Sequence, residues 1–222
     1  MGIARLALSA KPVARGYLDA MIVAGLLALF LITFVIRTFY IPSVSMVPTL
    51  RVSDVVLVDE VAYRLHRPAD GDVAVFVPPV AAGGNDFVKR VIGVPGDEIA
   101  ITDGTVYRNG AALREPYENE PPNYDLSIRD YGIYVNGNRL DSRRANVPPR
   151  SRWQVANRIP TGFYFVLGDN RNYSDDSHVW GFAQTTGVFG AGPLASRDVR
   201  ARFIGRAFMI LWPLNRLSVL TR

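Results

Sequence analysis

The sequence predicts a mainly β domain that follows one apolar N-terminal helix and carries an inserted β-rich segment. A charge-free apolar run extends from Ala20 to Ile36, which as a helix is long enough to cross a bilayer core. After this run, short apolar stretches alternate with Asp, Gly and Pro, as in strands joined by turns. From residue 111 to 157 the composition shifts to Pro, Asn, Arg and Glu, which indicates an excursion from the core.

The composition excludes several classes of function. Cys is absent, so thiol catalysis, Cys-ligated zinc and disulfides are excluded. The net charge of +5 comes from 25 basic and 20 acidic residues that are spread along the chain, which does not favour nucleic-acid binding. No pair of histidines has metal-ligand spacing, so metal-dependent hydrolysis is not predicted.

The apolar run predicts a transmembrane anchor at residues 18–38, with aromatic side chains at both ends. Basic residues precede it, so the positive-inside rule places residues 1–17 in the cytoplasm and residues 39–222 outside the membrane. A buried helix of a soluble protein would show a polar face, and this one shows none. A cleaved signal peptide is disfavoured because the run is longer than the usual apolar region of such peptides.

The outer domain is predicted to have a core at 39–110 and 158–222, interrupted by the insertion at 111–157. Its apolar and alternating runs predict strands at 54–59, 72–77, 87–93, 97–101, 105–108, 131–135, 162–167 and 203–211. The Asp103-Gly104 pair predicts a tight hairpin between the fourth and fifth of these strands.

Lysine is scarce in this chain, and one lysine lies in a predicted strand. Of the 25 basic residues only Lys11 and Lys89 are Lys, and Lys89 stands among apolar residues. A desolvated Lys can lose its proton, whereas Arg cannot. The neutral amine can then act as the general base for a Ser hydroxyl. The alternative is a strand Lys whose amine extends to solvent.

The segment from Ile41 to Leu50 supplies the candidate nucleophile. Its two prolines predict a rigid, irregular segment rather than a helix. Such a segment can hold a hydroxyl in a fixed direction. Of its two serines, Ser43 and Ser45, the second is the predicted partner of Lys89.

A Ser-His-Asp triad is the competing arrangement. The chain has only two histidines, His66 in a predicted connector and His178 next to an acidic pair, and it lacks a Gly-x-Ser-x-Gly motif. A histidine beside an aspartate is common at protein surfaces. The Lys-based pair is therefore the favoured prediction.

The polar loop at residues 168–178 has alternating oxygen-bearing side chains from Asn170 to Asp176, which invites comparison with a calcium-binding loop. Counting from Asn170, position six is Asp175 rather than Gly and position twelve is Gly181 rather than Glu. Calcium binding is therefore not predicted.

These segments resemble those of bacterial type I signal peptidases, which are membrane-bound Ser-Lys proteases. The matching stretches are PSVSMVPTL at 42–50, KRVIGVPGD at 89–97, YRNG at 107–110, and GDNR at 168–171 followed by Ser174, Asp176, Ser177 and Gly181. The resemblance covers the core but not residues 111–157 or 184–200.

The resemblance implies a coiled antiparallel β-sheet catalytic domain that cleaves N-terminal signal peptides from exported preproteins, without a cofactor. Ser45 would be the nucleophile and Lys89 the general base. Ser43, with the backbone amide of Ser45, would form the oxyanion hole, and Ser174 would orient the Lys89 amine. The implied location is the bacterial inner membrane, with signal-peptide-bearing preproteins and membrane lipid as partners and with no nucleic acid or metal.

Further roles are implied for the residues around the catalytic pair. Asp169, Arg171 and Asp176 would hold the loop that carries Ser174, with Asp169 paired to Arg90. A substrate with Ala at positions −1 and −3 would lie as an added strand. The pocket for the residue before the cut would be lined by Ile41, Pro42, Met46, Leu50 and Val88.

The sequence departs from the family pattern at positions that leave the implied catalytic groups intact. These are Val44 for Gly, Ser53 for Gly, Glu60 for Lys and His178 for Arg. Two other functions remain as hypotheses. One is the maturation of conjugative pilin or another dedicated precursor by the same chemistry, and the other is an anchored β-domain that binds envelope partners without catalysis.

Overall fold

The computed structural model describes residues 10–79, 85–185 and 203–221. The chain divides into two units, one that ends at Arg37 and one that begins at Thr38. Most of the segment 184–200, which the sequence resemblance does not cover, lies outside the described residues.

The first unit contains the helix α1, Ala10–Phe34, and strand β1, Ile36–Tyr40, begins directly after it. The helix ends four residues before residue 38, the predicted end of the anchor, and the β-branched and aromatic residues after Phe34 favour an extended backbone. Within the described ranges, no helix combines the length and the apolar character that a bilayer crossing requires. The predicted transmembrane anchor is not confirmed.

The second unit is built mainly of short strands. Among its described residues, the short helices are α2 (Ala62–Leu65) and α3 (Ser177–Trp180), and 3₁₀ turns occupy Arg150–Arg152 and Leu214–Arg216. In chain order after β1, the strands are β2 (Val55–Asp59), β3 (Val73–Phe76), β4 (Phe87–Gly93), β5 (Ile99–Thr102), β6 (Thr105–Arg108), β7 (Ala111–Ala112), β8 (Leu126–Arg129), β9 (Gly132–Val135), β10 (Asn138–Arg139), β11 (Phe163–Leu167), β12 (Ala183–Gln184), β13 (Phe203–Trp212) and β14 (Ser218–Val219).

The described strands form two sheets. The first has the order β1-β2-β13-β3-β4-β11-β12, with β14 paired to β13, and the second has the order β10-β9-β8-β5-β6-β7. The pairs formed by the described strands from β2 onward are antiparallel. The predicted mainly β, antiparallel fold class is confirmed.

Strands β5 and β6 belong to the second sheet, together with the strands of the segment 111–157. They form the hairpin that the sequence predicts, and its turn residues Asp103 and Gly104 have φ values of 48° and 73°. A two-residue turn with both φ values positive matches the twist of the flanking strands. The second sheet therefore starts before residue 111, so its boundary differs from that of the predicted insertion.

Strand β4 is central to the first sheet and carries Lys89. It pairs with β3, where Lys89 lies opposite Ala74, and with β11 on its other side. Its five residues from Lys89 to Gly93 are buried. One apolar cluster packs this strand and β11 against the second sheet through side chains such as Ile92, Ile101 and Phe165.

Candidate active site

The nucleophile segment, Ile41 to Leu50, is fixed at both ends by backbone hydrogen bonds and apolar anchors. The Ile41 amide donates to the Asp54 carbonyl and the Ser53 amide donates to the Ile41 carbonyl, both at 2.9 Å. Leu50 donates to the Met46 carbonyl in a tight turn. The segment is therefore held on the sheet without being a regular strand.

The predicted substrate-pocket residues contribute to this anchoring. Ile41, Met46 and Leu50 lie in one core cluster with exposed fractions of 2%, 1% and 0%, and Val88 packs against that cluster. Pro42 is exposed. Of the five predicted pocket residues, Pro42 and Val88 have exposed surface in this structure, whereas the other three fill the core beneath the segment.

The Lys89 amine and the Ser45 hydroxyl are in direct contact. Lys89 Nζ lies 2.6 Å from Ser45 Oγ, and both residues are buried. The hydroxyl of Ser43 is also close to Ser45, with the two Oγ atoms 3.2 Å apart. Three side chains proposed from the sequence thus meet at one point.

Burial lowers the pKa of Lys89 from 10.5 to about 8, because the charged amine loses its hydration there. The carboxylates of Asp176, Asp175 and Asp169 act in the opposite direction. The ring of Phe87 also favours the charged form, since its centroid lies 5.4 Å from Nζ. Desolvation outweighs these effects, so a substantial neutral fraction exists in mildly alkaline solution.

Arg90, the next residue of β4, forms a buried ion pair with Asp169. Its Nε and Nη2 each donate to a different carboxylate oxygen at 2.8 Å. The Thr49 hydroxyl, from the nucleophile segment, donates a hydrogen bond to the same carboxylate. The guanidinium carbon of Arg90 lies 3.8 Å from the centre of the Tyr117 ring. The pair that the family resemblance implies is thus present and links β4, the nucleophile segment and the loop.

The loop 168–178 is closed by Asp176. One carboxylate oxygen accepts from the Gly168 amide at 2.9 Å, and the other accepts from the amide and ring Nδ1 of His178. The His178 ring stacks on Tyr124 with centroids 4.3 Å apart. In the described part of the chain, neither His178 nor the exposed His66 forms a hydrogen bond with Ser45, so no His-based triad is assembled.

Ser174 is buried beside the nucleophile segment, but its hydroxyl is not bonded to the Lys89 amine. Among the residues described, Ser174 Oγ has no hydrogen-bond partner. A Cβ atom placed on Gly168 would collide with both Ser174 Oγ and the Ser45 carbonyl oxygen. Only glycine fits between the loop and the nucleophile, so Ser174 lies close to the Ser45 backbone.

Arg171 joins the loop to the segment 115–124, which precedes β8. Its fully buried guanidinium donates two hydrogen bonds of 2.8 Å to Glu115 and also contacts Glu118 at 3.2 Å. Tyr117 donates to Glu115 at 3.0 Å, and burial together with the Glu115 charge raises the pKa of this phenol. The segment 115–124 therefore acts as a brace on the catalytic loop.

Some of these contacts could not be found from the sequence. Glu115 and Tyr117 lie in a segment whose composition suggested only an excursion from the core, and Thr49 and Asn170 stood in motifs without an assigned role. Their partners lie far away in the chain, so no local pattern marks them. Within the ranges described, no cluster of three or more acidic or histidine side chains could hold a metal ion.

Comparisons with known proteins identify the family to which this chain is similar. A family model described as signal peptidase, peptidase S26, matches residues 14–212. The chain is 36% identical over 205 residues to a probable signal peptidase I-2 of Synechocystis sp., which covers 90% of this chain and 74% of that protein. It is also 36% identical over 200 residues to a signal peptidase I of Leptolyngbya laminosa, covering 87% of this chain and 77% of the relative.

The chain belongs to the signal peptidase S26 family. Among solved structures, a signal peptidase I from Enterococcus faecalis V583 matches with 29% identity and a TM-score of 0.35, covering 54% of this chain and 91% of that one.

Proposed function

We propose that this protein is a signal peptidase I, a serine endopeptidase that cleaves signal peptides from preproteins with Ser45 as nucleophile and Lys89 as general base. The observation that carries this assignment is the 2.6 Å contact between a buried amine and a buried hydroxyl. Membership of the S26 family and relatives named signal peptidase I support the substrate class.

The chemistry follows from the neutral state of Lys89. Ser45 donates its hydroxyl proton to Nζ as its Oγ attacks the carbonyl carbon of the scissile peptide bond. The resulting ammonium returns the proton to the departing amine, and the C–N bond breaks to leave an acyl-enzyme. A water molecule then attacks the ester, Lys89 takes up its proton, and the proton passes to Ser45 Oγ as the acid product leaves.

The oxyanion of each tetrahedral intermediate needs hydrogen-bond donors at a fixed position. The Ser45 backbone amide and the Ser43 hydroxyl are the proposed donors, and the 3.2 Å separation of the two hydroxyl oxygens supports this. Ser174 is proposed to orient Lys89 when the ammonium forms, since its buried hydroxyl has no other partner among the described residues. Arg90, Asp169, Arg171 and Asp176 would hold this geometry, and small residues at −1 and −3 would be preferred.

Replacement of each catalytic group tests the proposal. Ser45→Ala and Lys89→Met are expected to abolish cleavage of a preprotein with Ala at −1 and −3. Cooperative unfolding of both variants would show that they are still folded. Ser53→Ala is a suitable control, because this serine is exposed and, among the described residues, its hydroxyl forms a hydrogen bond only with Tyr40. Cleavage at the parent rate by both catalytic variants would contradict the assignment.

We also propose that the catalytic domain, residues 39–222, works at the outer face of the bacterial inner membrane, anchored through the apolar run at 18–38. The charge-free sequence from Ala20 to Ile36 and the basic residues before it support this. A group of exposed apolar side chains in the second unit also favours contact with lipid: Leu211, Trp212, Leu214, Leu217 and Val219. Protease protection in inverted membrane vesicles tests the topology, and complete digestion of the catalytic domain would contradict it.

A further inference from the structure

Asn170 contacts the peptide groups on both sides of the nucleophile. Its side-chain Nδ2 donates to the Val44 carbonyl at 3.1 Å, and its backbone amide donates to the Ser45 carbonyl at 3.1 Å. The side chain is buried, with an exposed fraction of 6%. One residue of the loop therefore holds both of the peptide planes that meet at the Ser45 Cα.

The contact to Val44 has a direct consequence for the Ser45 amide. The Val44 carbonyl and the Ser45 N–H belong to one planar trans peptide, so fixing the oxygen also fixes the direction of the N–H. The Val47 amide donates to the same carbonyl at 3.1 Å. In the described residues the Ser45 N–H itself donates to no protein acceptor, which leaves it free for a substrate oxygen.

The loop around Asn170 is rigid enough to impose this direction. Its two chain neighbours, Asp169 and Arg171, are fully buried and are bound to Arg90 and Glu115. The Asp169 carbonyl accepts from the Asn119 amide at 2.9 Å. Asn170 therefore approaches the nucleophile segment from a part of the loop that is fixed on several sides.

We propose that Asn170 is a positioning residue of the oxyanion hole, which aims the Ser45 N–H by holding the Val44 carbonyl. A donor to a carbonyl also polarises the N–H at the other end of the same peptide, so the amide becomes a stronger donor to a developing negative charge. This inference rests on the proposed function, because it assumes that the Ser45 amide binds the oxyanion.

The test compares two ligands with the same peptide part, one a peptide aldehyde ending in Ala and the other the matching peptide alcohol. Ser45 Oγ adds to the aldehyde carbon and its proton passes to Lys89, which leaves an oxyanion in the hole, whereas the alcohol binds without this charge. Asn170→Ala is expected to lower kcat and weaken aldehyde binding by the same factor, between about tenfold and a hundredfold. The affinity for the alcohol and the pH midpoint of kcat/KM should stay at the parent values.

Asn172→Ala is a matched control. Asn172 is the same residue type two positions along the loop, where its Nδ2 donates to the Pro121 carbonyl at 3.0 Å and its Oδ1 accepts from the Asn123 amide. It contacts the brace rather than the nucleophile, so its loss should leave the ratio of aldehyde to alcohol affinity unchanged.

Asn170→Asp is a second variant for the case in which the alanine variant does not fold. Its side chain keeps the volume but directs a carboxylate oxygen at the Val44 carbonyl, and we expect the same selective loss of aldehyde binding. Equal losses for aldehyde and alcohol, or an equal selective loss in Asn172→Ala, would overturn the inference. If either of these results is obtained and Ser45→Ala is inactive, only the role of Asn170 is refuted. If Ser45→Ala is active, the proposed function itself is refuted.

Discussion

The amine of Lys89 lies 2.6 Å from the hydroxyl oxygen of Ser45, although the two residues are 44 positions apart in the chain. Lys89 is held by a central strand of the first sheet, and Ser45 by an irregular segment whose apolar side chains enter the core. The adjacent Arg90 binds Asp169 and so connects the same strand to the loop. The contact therefore depends on three separate parts of the chain.

The pH dependence of cleavage should follow the deprotonation of Lys89. Only the neutral amine accepts the Ser45 proton, and burial lowers the pKa of this group to about 8. We expect kcat/KM to rise about tenfold for each pH unit below that pKa and to level off above it. Initial rates of peptide cleavage between pH 6 and 10 measure this, and a flat profile over that range would contradict it. Lys89→Arg should be inactive at every pH, because its guanidinium keeps the proton.

Replacement of Lys89 should also change the pH dependence of stability. The folded-state pKa of about 8 lies below the unfolded value of 10.5, so the unfolded chain binds more protons between them and stability rises with pH there. Below pH 8 the buried amine lowers the free energy of unfolding by roughly 3 kcal/mol. Lys89→Met should recover about this amount at pH 7 and less than about 1 kcal/mol at pH 10, as measured by urea unfolding. An equal gain at both pH values would show that packing, rather than charge burial, causes the change.

Asp169→Asn should destabilise the fold by leaving the Arg90 charge buried without its partner. The two side chains have exposed fractions of 1% and 0%, and loss of one member of such a pair typically costs about 3–5 kcal/mol. Asp70→Asn is the control, because its pair with Arg108 is half exposed and should contribute less than about 1 kcal/mol. Chemical unfolding of both variants provides the comparison, and similar losses would argue against a special role of burial.

Ser174→Ala and Ser177→Ala should separate catalysis from stability. The Ser177 hydroxyl accepts from the Val166 amide at 2.9 Å in a fully buried site, so its removal should cost about 1–3 kcal/mol of unfolding free energy. The Ser174 hydroxyl has no partner among the residues described, so its removal should leave stability unchanged or slightly higher. Activity should respond in the opposite order, with the larger fall in kcat for Ser174→Ala. A large loss of stability with unchanged kcat in Ser174→Ala would contradict the proposed orienting role of Ser174.

Much of the fold could be predicted from local patterns. Short apolar runs bounded by turn residues predicted β2, β3, β4, β11 and β13, and the Asp103-Gly104 pair predicted the hairpin of β5 and β6. The sequence did not indicate that this hairpin joins the strands of the segment 111–157 in one sheet, because a strand pattern does not specify its non-local neighbours.

The sequence by itself determined the chemical groups at the site. These groups are an amine in an apolar strand that can lose its proton, two hydroxyls on a segment bounded by prolines, and a polar loop. They can be recognised from the sequence because they depend on residue type and near neighbours. Only the tertiary structure decided which groups meet. The bond from Asn170 to Val44 spans 126 positions, and those from Arg171 to Glu115 span 56. Such contacts depend on how two sheets and a loop pack together, and that packing is a property of the whole fold rather than of any short stretch of chain.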